Sequence, residues 1–131
     1  MHFRRTSLIV ASILVILSFT CSIALAGSAK ISKKVVPVEN GEFMIKLRVT
    51  AIGSSIYALK LTDEKSSIVN IYAPKGWCMV TDSEELIART GEKAIKPGKT
   101  VEFIIYTSSR EATFKWEAYG MFKKLGKGGV I

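Results

Sequence analysis

Side-chain polarity alternates along most of the chain beyond residue 40. From Glu42 to Ile52, Phe43, Ile45, Leu47, Val49 and Ala51 are interleaved with Met44, Lys46, Arg48 and Thr50, and a period of two predicts a strand with one buried face. Gly53-Ser54-Ser55 interrupts this run, and Ile56 to Thr62 resumes it with Tyr57, Leu59 and Leu61 on one side, so the two runs read as a hairpin. Asp63 to Ser67 is a polar turn before Ile68, Val69, Ile71 and Tyr72. Pro74-Lys75-Gly76 leads into a strand from Trp77 to Thr81, because Pro fixes φ and Gly permits positive φ. Leu86 to Ala88 reads as a short edge strand.

Lys96-Pro97-Gly98-Lys99 places Pro and Gly at the centre of a type II turn and opens the alternating run through Val101, Phe103 and Ile105. Ala112, Phe114, Trp116 and Ala118 alternate with Thr113, Lys115, Glu117 and Tyr119, and a weak last strand runs through the glycines between Met121 and Ile131. A first strand near Ile31 to Val38 carries Pro37, which confines it to an edge or a bulge. Seven or eight short strands separated by turns, with no helical period, predict an all-β, antiparallel β-sandwich. Its inward side chains are Phe43, Ile45, Leu47, Val49, Leu59, Leu61, Ile71, Val101, Phe103, Ile105, Phe114 and Trp116.

The first 26 residues differ in kind. Arg4 and Arg5 precede an uncharged stretch from Leu8 to Ala26 that closes with Ala24-Leu25-Ala26, the basic, apolar and small-residue succession of a secretory signal. Cleavage after Ala26 makes Gly27 the first mature residue and residues 27 to 131 one β-sandwich domain. The same segment retained as a helix of 19 uncharged residues would span roughly 28 Å and serve as a membrane anchor, which would make the chain a tethered accessory subunit. Both readings place the domain outside the cytoplasm, in the periplasm or at the cell surface, and a membrane is a partner only if the segment is retained.

Without the leader, 105 residues carry 17 basic and 11 acidic side chains, a formal +6. The charges are interspersed, as in Lys60, Asp63, Glu64 and Lys65, which predicts a solvated surface and no nucleic-acid footprint. His2 is the single histidine and lies in the leader, so a Ser-His-Asp triad and a multi-histidine metal site lack parts. No cofactor or metal is expected. Asp82, Glu84 and Glu85 cluster without calcium-loop spacing and read as a solvated acidic loop. Cys78 is the lone mature cysteine and reads as a small buried hydrophobe beside Trp77 and Met79.

Ala73-Pro74-Lys75-Gly76-Trp77, followed by Ile95-Lys96-Pro97-Gly98-Lys99-Thr100-Val101-Glu102-Phe103, resembles secreted immunoglobulin-like modules of the bacterial and archaeal cell-surface type, over residues 40 to 119. That resemblance implies a spacer, adhesin or binding appendage and assigns no binding residue.

Two surfaces are candidates for contact. Trp77, expected at an exposed turn, with Tyr106 and Tyr119 on the outward register of their strands, would form an aromatic platform for cell-envelope polysaccharide. Lys123, Lys124 and Lys127 would form a basic patch for anionic groups. The primary expectation is a non-catalytic module for protein interaction, adhesion or structure. It would recruit a protein partner, or assemble with itself, through an unpaired edge near Ile31 to Val38 or the glycine-rich terminal segment. A carbohydrate-binding module is the alternative.

Overall fold

The computed structural model describes residues 20–26, 29–65, 67–82 and 84–131, with the backbone alone for 20–26. The apolar centre of the predicted leader lies outside the described residues. Ten strands follow in chain order: β1 (Thr20–Ala26), β2 (Ala29–Pro37), β3 (Phe43–Ala51), β4 (Ala58–Thr62), β5 (Ile68–Tyr72), β6 (Cys78–Thr81), β7 (Glu85–Arg89), β8 (Thr100–Thr107), β9 (Lys115–Tyr119) and β10 (Gly129–Val130). They form two antiparallel five-stranded sheets, ordered β1-β2-β3-β8-β5 and β10-β9-β4-β7-β6. Among the described residues, no helix is long and apolar enough to cross a membrane.

The expected all-β architecture is present, and the inward register is as the alternation predicts. Ile45, Leu47 and Val49 of β3 and Phe103 and Ile105 of β8 face Leu59 and Leu61 of β4 and Trp116 of β9, all buried. Phe43, Ile71 and Val101 are partly buried against this core. Such interdigitation between two inner faces is what alternation encodes.

Three expectations are corrected. The runs β3 and β4 do not form a hairpin: β3 pairs with β2 and β8, whereas β4 pairs with β7 and β9. The connection 52–57 crosses between the layers, and its Ile56 is bridged to Ile95. Alternation specifies which face is buried and is silent about which strand lies alongside, so either pairing fits the pattern. Second, β7 is interior, flanked by β4 and β6, with Leu86 and Ala88 fully buried. Third, Cys78 is exposed and its thiol is free, because β6 turns Met79 inward and Cys78 and Val80 outward.

The turns behave as their chemistry requires. Lys96 to Lys99 closes with Lys99 N–H donating to the Lys96 carbonyl at 2.9 Å, Gly98 having φ +83°. Asp63, fully buried after β4, accepts hydrogen bonds from the Lys65 and Ser67 amides at 3.1 and 2.8 Å and from the Ser67 hydroxyl, which pins the crossing to β5.

The segment Thr20–Ala26, assigned to the leader from sequence, is strand β1. It pairs along its whole length with β2, from Thr20 opposite Val35 to Ala26 opposite Ala29. It occupies the outer edge of the first sheet. The sheet edge therefore runs through Ala24 and Ala26 of the predicted cleavage segment, whose Gly27 lies outside the described residues.

Candidate functional site

The outer face of the second sheet is built by the side chains that alternation turns away from the core. On β4 these are Ala58, Lys60 and Thr62; on β7, Glu85, Ile87 and Arg89; on β9, Lys115, Glu117 and Tyr119. The register places Ala58 between Arg89 and Tyr119, and Lys60 between Ile87 and Glu117. A methyl side chain between two long ones leaves a depression. Tyr57 extends it, held by its N–H to the Tyr119 carbonyl at 2.8 Å and by the Thr90 N–H to its own carbonyl at 3.0 Å.

The loop 120–124 supplies one wall. The Gly120 N–H donates to the Lys123 carbonyl at 2.8 Å and the Leu125 N–H to the Ala118 carbonyl at 2.8 Å. Buried Leu125 anchors the return of the chain. This tight reversal leaves Met121 and Phe122 at its tip, 60% and 94% exposed. The result is an open groove of about 800 Å³ lined by Tyr57, Lys60, Arg89, Tyr119, Phe122 and Lys123, among others. Its lining holds four cationic side chains, Lys60, Arg89, Lys123 and Lys124, and no carboxylate.

Behind the wall, Glu117 accepts from Lys124 Nζ at 2.9 Å and from the Tyr119 hydroxyl at 3.1 Å. The hydrogen bond from Lys124 holds the Glu117 carboxyl below the usual carboxylate range and raises the Lys124 ammonium above its ordinary value. Burial, followed by the bond to Glu117, pushes the Tyr119 phenol up. Lys60 stands 3.5 Å from Glu85. Arg89 and Lys123 have no ion pair among the described residues, so they are the uncompensated charges of the groove.

The sequence candidates separate in space. Trp77, expected to be exposed, is 7% exposed. Its ring meets Phe103 edge-to-face at 5.1 Å, and Nε1–H donates to the Lys93 carbonyl at 3.1 Å. The tight turn closed by Trp77 N–H on the Pro74 carbonyl swings the indole between the sheets, where it joins the core. Tyr106 lies on the outer face of the first sheet, edge-on to Tyr72 at 5.6 Å and donating to Met44 Sδ at 3.5 Å. Tyr119 lies on the outer face of the second, so the three aromatics form no common platform. Lys123 and Lys124 line the groove beside Tyr119, whereas Lys127 is exposed and absent from its lining.

Lys60, Arg89 and Phe122 belong to the site and escaped the reading of contact surfaces from sequence, whereas Tyr57, expected on the same side of its strand as Leu59 and Leu61, is half-buried and lines the groove. Met121-Phe122, two large apolar residues between Gly120 and Lys123, was the available signal: apolar residues in a reversal have no core to enter. Asp82, from the acidic cluster, accepts the Glu84 and Glu85 amides at 3.2 and 2.9 Å and serves its own turn.

No protein-family model and no curated protein matches the sequence. Among solved structures, the chain is similar to an uncharacterized protein from Nocardia farcinica whose crystal structure reveals an immunoglobulin-like fold. The identity is 12% and the TM-score 0.51, with 86% of this chain and 95% of that one covered. At this identity the likeness establishes the immunoglobulin-like fold and carries no function.

Proposed function

We propose that this immunoglobulin-like domain is an exported, non-catalytic interaction module that recruits a partner by strand addition to the edge of β2. The observation that carries this reading is the position of β1. Residues 20–26, the end of the predicted leader, cover β2 over seven residue pairs. Cleavage after Ala26 removes that cover and leaves β2, nine residues long and regularly paired to β3 on its other side, as an open edge.

The other sheet edges are poor templates. β5 has five residues and a register shift between Ile68 and Asn70, β6 has four residues and β10 has two. Short or bulged edges discourage pairing, whereas a long regular one offers a row of unpaired amides and carbonyls.

β2 also carries Lys30, Lys33 and Lys34 within nine residues. A second β2 laid against the first would bring these lysine rows together, and like charges across a ladder are unfavourable. The occupant is therefore a strand from another protein, free of lysine, as β1 itself is. The leader strand is the natural surrogate for it.

A peptide with the sequence of residues 20–26 tests this. Titrated into a chain beginning at Gly27, it binds saturably and perturbs β2 and β3 resonances, while the full-length chain, whose edge is filled, does not bind. No binding to the shortened chain, or equal binding to both, would overturn the reading. Concentration-dependent dimers of the shortened chain without peptide would assign the edge to self-assembly instead.

A further inference from the structure

We propose that the groove on the outer face of the second sheet binds an anionic polysaccharide whose charge is carried by carboxylate groups on its sugar rings. The site lies on the sheet opposite β2, so this inference and the strand-addition reading stand or fall separately.

Charge complementarity is the first support. The chain has 11 acidic residues, yet none lines the groove, and four cations do. Lys60 and Lys124 are each engaged by a glutamate just outside the lining, at 3.5 and 2.9 Å. Arg89 and Lys123, without an ion pair among the described residues, are left to engage a ligand. Arg89 offers a planar fork suited to a carboxylate, and Lys123 offers a mobile point charge on the wall.

The second support is the kind of apolar surface between those cations. Tyr57 and Tyr119 are half-buried, with Phe122 nearly wholly exposed. Rings on which the CH faces of a sugar can stack sit beside groups that can take its carboxylate. A volume of about 800 Å³ falls within the range of ligand clefts, roughly 300–1,000 Å³.

The third is shape. Arg89 and Lys60 rise from the sheet that floors the groove, flanking and neighbouring the small Ala58. A flat bilayer resting on the Phe122 loop would stand off from that floor, whereas a single polymer strand can lie along it.

Calorimetric titration of the full-length chain with a galacturonate hexamer tests the proposal, with a glucose hexamer, a glutamate hexapeptide and phosphatidylglycerol vesicles as comparisons. The galacturonate hexamer binds saturably and the glucose hexamer does not. Arg89→Gln with Lys123→Gln weakens binding about tenfold or more, as loss of two charge-assisted contacts requires. Phe122→Ser weakens it further, while Lys46→Gln on the other sheet leaves it unchanged. These are surface positions, and an unaltered melting curve confirms that each variant is folded. Absence of galacturonate binding, equal affinity in the Arg89/Lys123 variant, equal or tighter binding of the glutamate peptide, or binding to the vesicles alone would overturn the proposal.

Discussion

Replacing Trp77 separates a core role from a contact role more sharply than any other substitution. The indole is 7% exposed, packs edge-to-face on Phe103 at 5.1 Å and donates to the Lys93 carbonyl at 3.1 Å. Truncation to alanine removes the apolar burial and leaves a cavity, which costs about 3–5 kcal/mol for a core tryptophan. The edge-to-face contact and the hydrogen bond are included in that figure, each contributing on the order of 1 kcal/mol. Trp77→Phe keeps a ring against Phe103 and loses the donor and part of the volume, so it should cost about 1–2 kcal/mol. For a domain of this size the alanine variant should melt roughly 15 °C or more below the parent. Urea denaturation followed by circular dichroism measures all three proteins. Trp77→Ala within about 1 kcal/mol of the parent would refute the placement of Trp77 in the core. Because Trp116 is also buried, at 1% exposure, the intrinsic fluorescence should be blue-shifted and unresponsive to added polysaccharide.

Two further positions give independent tests. Lys33 points inward from β2, and its ammonium donates to the Ala112 carbonyl at 2.8 Å; burial lowers its pKa from the ordinary 10.5. The folded state thus binds fewer protons than the unfolded state between the lowered value and 10.5, so this group makes stability rise with pH across that window. Lys33→Met should be at least as stable as the parent at neutral pH. The difference in denaturation midpoint should shrink towards pH 10, and a constant difference would count against it. At Gly128, with φ +76°, a Cβ would overlap the Trp116 carbonyl oxygen, whereas Gly126, with φ +72°, has open space around it. Gly126→Ala should therefore cost about 1 kcal/mol for the left-handed backbone alone. Gly128→Ala should cost at least twice that in thermal denaturation, and equal losses would show that β10 does not pack as described.

The fold was legible because alternation is a local property. Each of Ile45, Leu47, Val49, Leu59, Leu61, Phe103, Ile105, Phe114 and Trp116 could be assigned inward from its own neighbours, and all are buried. Strand partnership was not legible, since β3 and β4 would present the same faces in one sheet or in two. Trp77 was misplaced because a turn residue adjoining Gly76 looks exposed when the direction of the turn relative to the sheets is unknown. The groove was half visible. Tyr119, Lys123 and Lys124 are close in sequence, but Arg89 joins them only through the register that sets it beside Ala58, with Tyr119 on that residue's other side. Lys33 was legible from its place in the β2 alternation, between Ile31 and Val35, which marks it as inward. If β2 becomes an edge as proposed, this inward charge would guard it against indiscriminate pairing.

The central claim is that β2 changes from an inner strand to an open edge when residues 1–26 are removed, while the rest of the sandwich is untouched. Amide hydrogen exchange of the full-length chain and of the chain beginning at Gly27 measures this directly. In an antiparallel ladder about half the amides of β2 point towards β1. Those amides should lose protection in the shorter chain, while the strands β9, β4 and β7 keep theirs. Unchanged protection across β2, or loss of protection throughout both sheets, would contradict the account.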